Sequence, residues 1–441
     1  MIDMVKLLLM GDKARRDRKN MGVISVTDIR KIFLSEFGKT FSSDTRLTSA
    51  DNDMRFAVEM QKKRIAQKGL WLDYDFIPRG HNNAGRNYND VFTDGKYAAH
   101  MSSGTCTFKR VLKKGDRLIS LKKLPANIWL MIMDVKNGDR VGDDIYICPN
   151  CGKPSPIKEL IEGCRSCGTR FKMDELYPKV SNYNIVRDYS MDKSEIFPKY
   201  ILPAILFGLG AIVLSIIGIL IALAAGIGSY LKGGSTEGSQ MVMGVFATII
   251  GGAPVYGFMG AGLFIFGRLI FDALKAMPLL QAQRTRTLFE NVMKPYGQEY
   301  MPDFFIGRTI GKVKTVIFSD NPSELPFYKG KDLPSDAKDM VDIVFRGAFR
   351  FDKVEVSGSK AVVEGEIYSE VLYANGKNSN RNIGVRLVKD VTKKHGLDFS
   401  ISTYQCPSCA ASFDAYRNKF CPYCGHEYDM ENDDWVIEYI R

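Results

Sequence analysis

Eight of the nine cysteines fall into two sets of matching pattern. The first is Cys148-Pro-Asn-Cys151 with Cys164-Arg-Ser-Cys167, and the second is Cys406-Pro-Ser-Cys409 with Cys421-Pro-Tyr-Cys424. A C-x₂-C pair makes a tight turn that points two sulfurs at one ion. Two such pairs, 12 residues apart in the first set and 11 in the second, supply four thiolates for a tetrahedral Zn²⁺. Two zinc ions per chain are therefore expected. With no coordination position left open, both are structural and not catalytic. Gly152, Gly168 and Gly425 directly follow the second cysteine of a pair, where the turn favours a residue without a side chain. His426 is an alternative ligand that four cysteines make unnecessary. Cys106 stands outside both sets and reads as a buried thiol acting as a small apolar group.

Little else in the chain suggests chemistry. The four histidines, His81, His100, His395 and His426, are not spaced as a dyad or a metal pair. There is no nucleotide-binding loop, Ser-His-Asp set or H-E-x-x-H motif. The chain reads as a non-enzyme.

Thiolate zinc sites persist where thiols stay reduced, which makes the cysteines a marker of compartment as well as of metal. Between the two sets lie residues 200–231 and 241–267, both without a charged residue. About 20 residues span the hydrocarbon core, so each is long enough to cross. The connector 232–240 is short, polar and glycine-rich, and would fold the two into an antiparallel transmembrane hairpin. Arg187, Lys193 and Lys199 precede the first stretch, and Arg268, Lys275, Arg284 and Arg286 follow the second; the connector has one Lys and one Glu. The positive-inside rule then puts both termini in the cytoplasm of a multi-pass cell-membrane protein. Both cysteine sets would share that reducing side. Small residues at four-residue spacing, among them Gly257 and Ala261, would let the two helices pack closely, or serve a homo-oligomer.

The flanking parts read as α+β soluble domains. A basic segment (1–20) precedes an α+β domain (21–147) with helices over 27–37 and 49–68, followed by short β runs and an Asn137-Gly138 hairpin turn. The first ribbon covers 148–180 and a juxtamembrane linker 181–199. Spans at 200–231 and 241–271 flank an external loop at 232–240. The C-terminal domain (272–441) begins with helices over 272–294 and 302–318. Strands follow over 340–356, 360–373, 382–389, 398–404 and 435–440, with the second ribbon (406–424) inserted before the last.

This order resembles the Tim-forty-four-like domain, found in a mitochondrial import-motor anchor and in many bacterial membrane proteins. The likeness covers about residues 272–441. It rests on the order of elements, on Val385-Arg-Leu-Val388, and on the second cysteine set preceding Trp435-Val-Ile437. The resemblance implies helices packed on a curved antiparallel sheet, membrane association and protein binding, with no catalytic motif. The first set looks like a companion ribbon of such proteins, through Cys148-Pro-Asn-Cys-Gly152 and Glu175-Leu-Tyr-Pro-Lys-Val180. A membrane hairpin and two ribbons separate this chain from the import-motor anchor, so a role in import is not implied.

The net charge of +11 lies wholly in the first half: residues 1–199 hold 36 Lys+Arg against 25 Asp+Glu, and the remainder holds 25 of each. A basic half suits anionic lipid or nucleic acid. The second ribbon is flanked by Asp429, Glu431, Asp433 and Asp434, which would repel phosphates. The chain therefore reads first as a membrane-anchored cytoplasmic adaptor or scaffold with an unidentified protein partner. The alternative is a membrane-tethered zinc-ribbon protein that binds nucleic acid through its basic N-terminal part.

Overall fold

The computed structural model describes residues 26–43, 47–79, 86–93, 97–135, 145–148, 151–156, 164–167, 179–187, 200–233, 237–297, 300–392 and 404–441. In chain order these form α1 (Val26–Lys39), α2 (Asn52–Gln67), β1 (Trp71–Pro78), β2 (Arg86–Thr93), β3 (Tyr97–Lys114), β4 (Arg117–Val135), β5 (Ile145–Ile147), β6 (Pro154–Pro156) and β7 (Lys179–Arg187). There follow α3 (Leu202–Gly233), α4 (Glu237–Arg284), α5 (Arg286–Met293), α6 (Pro302–Phe318), β8 (Met340–Ser357), β9 (Lys360–Tyr373), β10 (Asn378–Asp390), β11 (Tyr404–Gln405), β12 (Ser412–Phe413) and β13 (Val436–Ile440). Two compact units result, one of Met1–Asp188 with Gln281–Arg441 and one of Tyr189–Leu280.

The first unit is mixed α+β with two main antiparallel sheets. One runs β1-β3-β4-β7, with β2 also on β3, and the other runs β13-β10-β9-β8. In α1 the stripe Ile29, Phe33, Phe37 is buried, as its spacing requires. Helix α2 starts at Asp51, whose carboxylate accepts the Met54 N–H at 2.9 Å, and stops before Gly69 at φ +63°. The short β runs expected after residue 71 are instead parts of two long strands, β3 and β4, of 18 and 19 residues. Their turn is at Gly115, φ +55°. Gly104 and Pro125 interrupt the β pattern in sequence, yet the β3–β4 ladder carries both, Gly104 opposite Ile128 and Pro125 opposite Thr107. The Asn137-Gly138 turn lies outside the described residues. In the second sheet the turns at Gly358 (φ +61°) and Gly376 (φ +87°) fall in the gaps between the strands expected over 340–356, 360–373 and 382–389. The closing strand β13 pairs with β10, so the second cysteine set does interrupt one sheet. The expected strand 398–404 is described only from Tyr404, which belongs to a small β11–β12 pair.

The boundary expected at residue 272 falls inside α4, and the N- and C-terminal parts of the chain meet in one unit. Val341 and Leu372 join the core of the first sheet, and Phe56 of α2 joins that of the second. Polar side chains fix the seam. The Gln61 amide donates to Val341 O (2.9 Å) and Asp342 Oδ1 (3.1 Å). The Arg64 guanidinium donates to the carbonyls of Ile317, Ser319, Ala337 and Lys338 at 3.1–3.2 Å, closing the C-terminal end of α6. Arg110, 2% exposed, reaches Asp342 at 2.7 Å and Glu370 at 2.6 Å, and also bonds Asn378.

Helix α6 is buried along nearly its whole length, its lysines included. Lys312 meets the Asp434 carboxylate at 2.9 Å and the Trp435 carbonyl. Lys314 donates to Tyr183 OH at 2.9 Å, its ammonium 4.4 Å from that ring's centroid. Burial, only partly offset by Asp342, pulls Lys314 down to about 8. An unfolded lysine keeps its proton to about 10.4. Between these values the unfolded chain binds more protons, so stability rises as pH goes from 8 to 10. Lys314→Met is expected to raise the thermal midpoint at pH 7 by about 5 °C, from about 2 kcal/mol of relieved burial, and to flatten the rise above pH 8. Thermal scans of both proteins at pH 7 and pH 10 check this; equal pH slopes would refute it.

In the second unit α3 and α4 pack antiparallel through small residues. A Cβ on Gly208 would come within 2.8 Å of Gly257 O, and one on Gly260 within 2.8 Å of Ala211 Cβ. Gly257 and Ala261 thus serve helix packing, as their spacing suggests. Among the described residues one stretch, Leu202–Ile221, is long and apolar enough to cross a membrane. The second expected span is helical, but its described apolar stretch, Val255–Phe271, is shorter than a crossing needs. Two spans are therefore not established.

Candidate metal centres

Three of the four cysteine turns are built by the same backbone bonds. In the first set the short β5–β6 pair brackets Cys148. The Cys148 N–H donates to Lys153 O at 3.0 Å, and the Gly152 N–H returns to Cys148 O at 2.9 Å. In the second set β11 and β12 bracket Cys406 in the same way, with Cys406 N–H on Ala411 O (2.9 Å) and Ala410 N–H on Cys406 O (2.8 Å). Cys421 N–H on His426 O and Gly425 N–H on Cys421 O, at 2.8 and 2.9 Å, repeat it. The residue after the second cysteine must turn left-handed: Gly152 has φ +69°, Gly425 +74° and Ala410 +57°. Ala410 pays the Cβ penalty that glycine avoids. Gly168 lies outside the described residues.

These turns bring the sulfurs together. In both sets the four Sγ atoms lie within 4.8 Å of one another. Cys148 and Cys167 are 3.7 Å apart and Cys151 and Cys164 3.6 Å; Cys406 and Cys424 are 3.6 Å apart and Cys409 and Cys421 3.7 Å. A disulfide needs about 2.05 Å. A regular tetrahedron of sulfurs about 2.3 Å from a zinc ion has edges of about 3.8 Å. The spacing matches the metal and excludes the disulfide. All eight expected ligands sit in the two clusters, which can hold two zinc ions. In each pair the first cysteine is buried and the second exposed. Burial raises the Cys406 thiol, but the N–H groups of Cys409 and Ser408, with the neighbouring thiols, bring it down to about 6. Donors aimed at sulfur favour the thiolate that a metal requires. His426 is not among the clustered ligands; its Nδ1 lies 3.0 Å from Ser408 Oγ.

The two centres differ in their surroundings. Cys406 and Cys421 belong to the main core, with Phe413, Ala415, Tyr416 and Tyr428 of the same ribbon. Tyr416 stacks on Phe327 at 4.7 Å, and Arg417 reaches Glu59 of α2 at 2.9 Å. Cys148 and Cys164 are buried but lie in neither large core. The sequence pattern also missed the buried charges of the seam. Arg110 alternates with Phe108 and Leu112 on one face of β3, and a cation within an apolar stripe was the available signal.

Neither a family model, nor a curated protein, nor a solved structure matches the chain.

Proposed function

We propose that the chain is a membrane-anchored cytoplasmic adaptor or scaffold. In this reading α3 and α4 cross the bilayer as a hairpin, both termini stay in the cytoplasm, and zinc occupies both cysteine sets. The observation that carries it is the stretch Leu202–Ile221, of which only 11% is buried. Leu206 is 61% exposed and Leu214 71%; on α4, Phe258 is 82% exposed. Apolar side chains in a continuous belt would be costly in water and are at home in lipid. Close packing at Gly208, Gly257 and Gly260 supports a paired hairpin, and cationic flanks support its orientation. Closed tetrathiolate sites stabilise and do not react, which favours partner binding over catalysis. The element order of residues 272–441, with the second ribbon between β10 and β13, supports keeping the Tim-forty-four-like likeness within the proposal.

The test is topological. The protein should resist alkaline extraction from membranes. An impermeant thiol reagent should label Ser235→Cys in intact cells and leave Ser194→Cys unlabelled. Release by alkali would remove the anchor, and the reverse labelling pattern would invert the orientation. Partners captured from solubilised membranes should persist after nuclease treatment; capture that depends on nucleic acid would favour the alternative.

A further inference from the structure

The small residues of α4 are taken up by α3, yet a second stripe on the same helix is exposed. Met259, Leu263, Phe266, Ile270, Ala273, Met277 and Leu280 follow one another in alternating steps of four and three residues. That spacing is the a/d seam of a coiled coil, apolar at every position over three heptads. All but Ala273 have described side chains, and these are 44–66% exposed. By the same count Gly257, Ala261 and Phe264, which meet α3, fall outside the seam. So do the charged positions 268, 272 and 275. The flanking e and g positions from 262 to 283 hold Gly, Leu, Ala and Gln and no charge. Two identical helices in register therefore bring no like charges together before Arg284, where α4 ends.

Lipid can cover only part of this seam. The rings of Phe207 and Phe264 lie 5.8 Å apart, and Ala211 lies against Gly260. This antiparallel match puts Leu202, where the crossing stretch begins, about level with Arg268. Leu280 is 12 residues further on, about 18 Å at the helical rise. The headgroup layer is roughly 5–7 Å deep. In a bilayer crossed by Leu202–Ile221, Met277 and Leu280 thus stand in water and need another cover.

We propose that a second copy of this chain covers the seam, α4 against α4, as a parallel two-helix coiled coil. It rests on the membrane-anchored reading above, which gives both copies one orientation and sets each residue level with its counterpart. A soluble partner would meet only the last turns, whereas the seam runs unbroken from the bilayer into water. A two-fold axis along the helices makes the contact self-complementary, apolar against apolar at every level. The 3.5-residue period winds such helices left-handed, the usual crossing in membrane bundles.

Photo-crosslinking in membranes that carry full chains with two different tags tests this. A benzophenone amino acid at position 277 should link the two tagged forms, and one at position 275, on the far side of the helix, should not. Met277→Glu with Leu280→Glu should weaken pairing about a hundredfold, because like charges then face each other across the contact. Capture of one tagged form through the other should be lost accordingly. Lys275→Glu changes the net charge by the same amount and should leave capture intact. Links to no protein, to a different protein, or equally from both positions overturn the proposal, as does capture that survives the double substitution. Alkaline extraction of the same membranes reads the anchor separately. A chain that resists alkali but gives no link from position 277 keeps its anchor and loses the seam. A chain released by alkali loses the anchoring reading, and its own crosslinks still decide the seam: copies linked from position 277 alone sustain it, and any other pattern sinks it.

Discussion

Replacing Cys409 by Ser is expected to remove one of two bound zinc ions and much of the stability of the larger unit, whereas Cys151→Ser should remove an ion at far smaller cost. The difference lies in what each centre holds. The second ribbon puts Cys406, Phe413, Tyr416, Cys421 and Tyr428 into the main core and leads into β13, which closes the sheet on β10. Opening it releases these side chains together with the Tyr416–Phe327 stack and the Arg417–Glu59 pair. Structural zinc contributes on the order of 10 kcal/mol in small zinc domains, comparable to the whole net stability of a domain. The first ribbon connects β4 to β7, which are held to each other by their own ladder. Loosening a surface connection costs little, since doubling a loop's length costs only about 0.6 kcal/mol. Metal analysis should give about two equivalents for the parent protein and one for each variant. Thermal scans should show a fall of more than 10 °C for Cys409→Ser and a few degrees for Cys151→Ser. Equal falls would mean that the ribbons contribute alike, and a parent protein without zinc would remove the argument altogether.

The cysteines were legible because their chemistry is local: two residues between partners fix a turn, and the turn fixes the sulfurs. For the same reason the helices at Val26–Lys39 and Pro302–Phe318 and the turns at Gly358 and Gly376 could be read from period and punctuation. What could not be read was which parts share a core. Residues 26–187 and 281–441 are separated in sequence by the two long apolar helices and read as separate domains, yet they form one unit. The bonds that join them are single side chains whose meaning depends on the distant partner. Gln61, Arg64, Arg110, Lys312 and Lys314 look like ordinary surface residues until the facing groups are known. Strand length failed for a related reason. Gly104 and Pro125 break a propensity pattern, but the long β3–β4 ladder around them outweighs propensity.

Arg110 is where this dependence on a distant partner should have its largest effect. Burial alone would pull its guanidinium down, but Asp342 and Glu370 outweigh that and push it up, so it stays charged. Asp342 is 1% exposed and also accepts the Gln61 amide, which places three strands and a helix around one pair of charges. A buried pair of this kind adds little over an apolar substitute, but breaking it strands a charge at a cost of about 3–5 kcal/mol. Arg110→Met should therefore destabilise the larger unit by that amount in urea melts of the solubilised protein, leaving Asp342 uncompensated. Asp342→Leu should cost a similar amount, since it strands Arg110 on Glu370 alone. Combining them should recover most of the loss, because both charges leave together and Glu370 keeps Lys122. Hydrogen exchange should speed up in β3 and β8 together in each single variant and return toward the parent rate in the double. Additive costs in the double variant would show that the two residues stabilise the seam independently, and that the charges do not act as a pair.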